Sequence, residues 1–152
     1  MEEVGQAELL DAASQGRILD GWGDGSGWGS GEGPDGAARR PVDAALLRRC
    51  CLEYKEQIDP RGLRLHRVAV RGPADLAGLT APFPIRFEDC DFDAPVNVEG
   101  AKLRELSLTN CPRLPGLLGN GLRLRGDLDL SRSTVTGAHR TSASLGLSLI
   151  HI

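Results

Sequence analysis

Six consecutive residues, Glu88-Asp89-Cys90-Asp91-Phe92-Asp93, carry four carboxylates around one thiol. Oxygen-rich sets of this kind are the ligands of hard cations such as calcium and magnesium. Alternating acids on the wet face of a strand give the same pattern without a metal, and that is the expectation here. The remaining thiols and imidazoles are no better placed for chemistry. Cys50 and Cys51 are adjacent, without the two-residue gap of a redox or zinc motif, and are expected to pack as helix side chains. Cys90 and Cys111 stand 21 residues apart in a repeating pattern and are expected as reduced core residues. His66 and His139 have no serine or cysteine arranged beside them as a nucleophile–base pair would require. Glycine fills every odd position from Gly21 to Gly33, but Ser26 and Trp28 stand where a dinucleotide loop needs its last glycine. No catalytic residue, cofactor-binding residue, cofactor or metal ligand is therefore assigned.

The elements that would position these groups are set by a pair of apolar residues, two apart, returning every 21 or 22 positions. The pairs are Leu63/Leu65, Ile85/Phe87, Leu106/Leu108 and Leu128/Leu130. A period of this length marks a solenoid, in which each coil buries its apolar face by stacking on its neighbours. Within a coil the signature steps by five or six: Ile85/Phe87, Cys90/Phe92, Val96/Val98, Ala101/Leu103, Leu106/Leu108 and Cys111. Val68/Val70, Cys90/Phe92 and Ser133/Val135 share a phase, as do Ala74/Leu76 and Val96/Val98. Residues two apart on an extended chain point the same way, so each pair faces inward. Arg64, Arg86, Ser107 and Asp129, which lie between pair members, are expected to face water. Each coil then has four short sides.

The stretch 62–137 resembles the pentapeptide-repeat proteins, clearest in Phe87-Glu-Asp-Cys-Asp-Phe92 and Gly126-Asp-Leu-Asp-Leu-Ser131. The resemblance implies a right-handed four-sided β-helix of about four coils, and the six-residue steps imply bulged corners. More narrowly, Asp59-Pro-Arg-Gly-Leu-Arg-Leu65, Phe83-Pro-Ile-Arg-Phe-Glu-Asp-Cys90 and Thr136-Gly-Ala-His-Arg-Thr-Ser-Ala-Ser144 are similar to long actinomycete proteins labelled membrane-associated oxidoreductases. A leucine-rich-repeat solenoid is the rival, because Leu103-Arg-Glu-Leu106-Ser-Leu108-Thr-Asn-Cys111 fits that consensus. Counting back from each pair puts Pro60, Pro82 and Arg125 where Leu103 stands, which favours the pentapeptide-like reading.

Outside the coils, 1–19 reads as a short helix over Glu3 to Ser14, with Leu9, Leu10 and Ala13 apolar and Gly16 as its stop. Residues 20–42 read as a glycine-rich flexible linker and 43–58 as a helix capping the first coil, with Asp43 at its start and Leu47, Cys50, Cys51 and Tyr54 on one face. The coils occupy 59–144. The final six letters, 147–152, match the translation of a transposon-end sequencing adapter, so they are set aside and a longer natural protein is expected.

The chain has 152 residues, 21 acids against 18 bases and a net charge of −3, mixed along its length. No basic stripe for nucleic acid is expected from that mixture. Met1-Glu2-Glu3 does not open a secretory signal and no apolar run approaches the ~20 residues of a membrane span, so a cytoplasmic location is expected. Aromatic residues make up 4%, few for a globular core but enough for a narrow one filled by Leu, Val and Ile. A protein-binding scaffold is the expected function. An oxidoreductase follows only from the family label, and a DNA mimic acting on a topoisomerase would need an acidic stripe that Arg64, Arg86, Arg123, Arg125 and Arg132 interrupt.

Overall fold

The structure is a computed structural model that describes residues 3–21 and 39–134 together with the backbone of Ile150–His151. His139 and Val135 lie outside the described residues. The chain opens with helix α1 (Gln6–Ser14), strand β1 (Leu19–Asp20), strand β2 (Arg40–Asp43) and helix α2 (Ala44–Glu53). The Asp43 carboxylate accepts from the Ala45 amide at 2.9 Å and starts α2, satisfying one of the donors a helix leaves open. The helix ends at Glu53, before the 58 expected, and a 3-10 turn follows over Lys55–Gln57.

The coils follow in a regular order. The first holds β3 (Leu63–His66), β4 (Val68–Arg71) and β5 (Ala74–Asp75), and the second β6 (Thr80–Glu88), β7 (Asp91–Phe92) and β8 (Val96–Asn97). The third holds β9 (Lys102–Thr109) and β10 (Leu117–Leu118), and β11 (Arg123–Leu124), β12 (Leu128–Asp129) and β13 (Ile150–His151) complete the order. All pairing is parallel: one sheet runs β1-β3-β6-β9-β12-β13 with β11 beside β9, a second runs β10-β8-β5 and a third β2-β4-β7. The protein is a mainly β solenoid. Leu63, Ile85, Leu106 and Leu128 are register partners on four successive rungs, which bound three complete turns. Ile150–His151, inside the segment 147–152, pairs with β12 and extends this stack.

Two details depart from the sequence reading. β6 and β9 each run through a corner, so two of the four expected sides merge into one sheet. The register between them shifts between Ala81 and Pro84, leaving Pro82 and Phe83 opposite Arg104 alone. This bulge absorbs the extra residue of the longer coil. It also corrects the position set against the leucine-rich-repeat consensus: Leu103 stacks on Ala81 and Leu124, not on Pro82 and Arg125.

The core is a continuous apolar stack. Leu63, Leu65, Val68, Val70, Ile85, Phe87, Cys90, Phe92, Val96, Val98, Leu103, Leu106, Leu108, Cys111 and Leu128 are buried, and Leu130 is partly buried against them. Phe87 and Phe92 meet edge to face, ring centres 5.2 Å apart. Burying one such aliphatic or aromatic side chain contributes about 1.5–3 kcal/mol, and repetition along the stack offsets the entropy of fixing the chain. One corner takes the left-handed conformation in every coil, at Arg67, Asp89, Asn110 and Arg132.

The first rung is completed by the N-terminal elements. β1 stacks on β3 and β2 on β4, although Arg40–Asp43 falls at the edge of the expected linker, and α2 packs against β5. Ala44, Leu47, Cys50 and Cys51 are the buried residues of α2, while Tyr54 is half-buried and its hydroxyl accepts from Gln6 Nε2 at 2.9 Å. Arg48 fastens α2 to the next corner by donating to the carbonyls of Asp75 (2.9 Å) and Ala77 (3.1 Å).

Candidate functional site

Because the long sheet is in register, outward side chains form rows across the coils, one rung every ~4.8 Å. One row runs Arg64, Arg86, Ser107 and Asp129, and the next runs Asp20, His66, Glu88 and Thr109. Every member of these rows except Asp20 lines an open groove of about 690 Å³. The face was expected to be fully wet, yet Ser107 is only 9% exposed and Arg64 is half-buried. Larger neighbours on the flanking strands shelter the small serine, which makes it the low point of the face. Ile18, 52% exposed, stands at the rim.

Ion pairs hold side chains in and beside the groove. Arg86 Nη2 lies 2.8 Å from Glu105 Oε2, and Arg67 Nη2 lies 3.0 Å from Asp20 Oδ2. His66 sits between two carboxylates, its Nε2 3.3 Å from Glu88 and its Nδ1 3.8 Å from Asp20. The second distance is too long for a hydrogen bond, so this is not the locked imidazole of a catalytic triad. Arg64 Nη2 donates to the Gly16 carbonyl, while its buried Nε has no hydrogen-bond partner. The groove can recognise polar and charged groups; in it the Ser131 hydroxyl donates to the Asp129 carboxylate, with His66 set apart between Glu88 and Asp20.

Apart from His66 and Glu88, the acids and thiols singled out in the sequence go elsewhere. In the acidic run, Arg39 clasps Asp89 at 2.8 Å and Asp91 at 3.0 Å and donates to the Asp89 carbonyl at 2.9 Å. Asp93 accepts from the Gly72 amide at 3.3 Å. Only Glu88 reaches the groove, and among the described residues no group of three or more His, Cys, Asp or Glu is placed to hold a metal. Sequence reasoning missed Arg39, which follows a glycine-rich tract and reaches its partners only because β2 and β7 both flank β4.

All four cysteines are free and buried. Burial pushes the Cys50 and Cys111 thiols up to about 11 and Cys51 up to about 12, and it raises Cys90 as well. Cys90 Sγ faces the carbonyls of Glu88 (3.4 Å) and Leu65 (3.7 Å). At neutral pH such thiols remain protonated and are not nucleophiles.

Comparison of the chain with protein-family models, with curated proteins and with solved structures finds no match.

Proposed function

We propose that this chain is a protein-interaction scaffold: a pentapeptide-like, right-handed β-helix whose long sheet offers an outward groove to a partner. The observation that carries this reading is the in-register row Arg64, Arg86, Ser107 and Asp129 over a groove of about 690 Å³, supported from beneath by a continuously packed core. Rigid rows at fixed spacing bind with little loss of side-chain freedom, which favours recognition over chemistry. The five- and six-residue steps and the recurring left-handed corner support the pentapeptide-like reading. The buried, protonated thiols lend nothing to a redox reading.

Selection of peptides from a display library on the folded chain tests the proposal. Selected peptides should bind wild type and lose at least about tenfold in affinity to Arg86→Glu or Ser107→Arg, since a reversed charge or a filled low point removes complementarity. Peptides that bind these variants and wild type equally would sink the assignment of the groove. Circular dichroism of each variant separates loss of binding from loss of fold.

A further inference from the structure

A second outward face adjoins the groove, where β9 and β11 lie side by side. Lys102 and Arg123 are register partners, and the Arg125 amide donates to the Leu103 carbonyl at 3.2 Å, which places Arg125 beside Arg104. Four exposed cations therefore form a two-by-two square on adjacent rungs. Among the described residues none of the four makes an ion pair. Like charges placed opposite each other on neighbouring strands are destabilising. In a chain whose net charge is −3, with acids outnumbering bases, such a gathering is a cost that a bound anion would relieve.

The surroundings narrow the anion. The square surrounds a recess of about 410 Å³ whose lining includes Ala81, Pro82, Leu103 and Leu124 and no carboxylate. Glu105, already paired with Arg86, and Asp127 border it only on the Arg104/Arg125 side. Cations two residues apart on one strand repeat at ~6.7 Å, the spacing of alternate side chains in an extended peptide. Neighbouring rungs set two cations about each such position, and guanidinium forks match carboxylates. The lining contains no aromatic ring on which a nucleic-acid base would stack. Among the described residues the exposed large apolar side chains are Ile18 and Leu52, and neither lines the recess, so neither offers a wedge to a lipid surface there.

We propose that the Lys102/Arg104/Arg123/Arg125 face docks an extended acidic peptide segment of a partner protein, with carboxylates at alternate positions. This deepens the scaffold reading by naming the chemistry of one partner, and it rests on that reading. The test uses the full chain and a fluorescein-labelled peptide of four glutamates alternating with serine, followed by fluorescence anisotropy. Binding should weaken as salt rises and should fall at least about tenfold in Arg104→Glu/Arg123→Glu, while Arg71→Glu, at an exposed position on β4 in a different sheet, leaves it unchanged. Arg104→Gln/Arg123→Gln, which relieves repulsion without adding charge, should fold and bind with intermediate affinity; it decides the matter if the double glutamate variant fails to fold. Equal binding by wild type and the glutamine variant overturns the proposal. So does tighter binding of oligothymidylate or of phosphatidylglycerol vesicles under the same conditions. Loss of peptide binding in Arg86→Glu alone would move the acidic partner to the groove, leaving the scaffold standing and this face unassigned.

Discussion

Raising the pH should dismantle this solenoid through its cysteines. In the unfolded chain a thiol ionises near 9, whereas burial in the fold holds Cys50 and Cys111 near 11, Cys51 near 12 and Cys90 higher than in water. A group whose folded pKa is raised contributes its full stability below the unfolded pKa. Above about pH 9 the unfolded chain releases protons that the folded chain retains, so stability falls as pH rises. By pH 10 each thiol has withdrawn about 1.4 kcal/mol relative to neutral pH, and the four together about 5.5 kcal/mol. That is the lower end of the whole stability of a small domain. Urea denaturation at a series of pH values from 7 to 10.5, under reducing conditions, measures the drop. Cys51→Ala should remove about a quarter of it, because the cavity left behind costs the same at every pH. A urea midpoint independent of pH up to 10 would refute the reasoning. So would native-state thiols at pH 8 that react with Ellman's reagent as fast as free glutathione.

Two further outcomes test the packing and the corners. Phe87→Ala empties a fully buried ring site at the centre of the second coil and breaks the contact with Phe92, so urea unfolding should report a loss of about 3–5 kcal/mol. Gly62 and Gly100 both have positive φ (89° and 68°), but a Cβ on Gly62 would lie 2.0 Å from the Pro84 carbonyl oxygen while one on Gly100 meets open space. Gly100→Ala should therefore cost about 1–2 kcal/mol, the left-handed penalty alone, and Gly62→Ala clearly more; equal melting temperatures for the two variants would contradict the close approach.

Much of this architecture is readable from local rules. A period of two makes Leu63 and Leu65, or Ile85 and Phe87, share a face whatever lies elsewhere in the chain, and their return every 21 or 22 residues makes stacking the one way to bury them. Asp43 at the start of α2 and Gly16, φ 68°, after α1 are likewise decided by groups within a few residues. The candidate sites are not local. The square of cations is not legible as a cluster in a chain whose charges are mixed along its length, because Lys102 meets Arg123 only through a pairing 21 residues apart.

The sequence by itself determined that the chain coils, which residues turn inward and roughly where each coil begins, since those follow from side-chain direction along a few extended residues. Tertiary structure decided the lateral register. The bulge at Pro82 and Phe83 shifts every neighbour beyond it by one position, so that Leu103 meets Ala81 instead of Pro82. It decided too that Arg39 neutralises Asp89 and Asp91, and that Ser107 becomes the sheltered floor of a groove. Each of these depends on contacts between rungs. A single inserted residue changes those contacts while leaving the inward–outward alternation of its own strand intact.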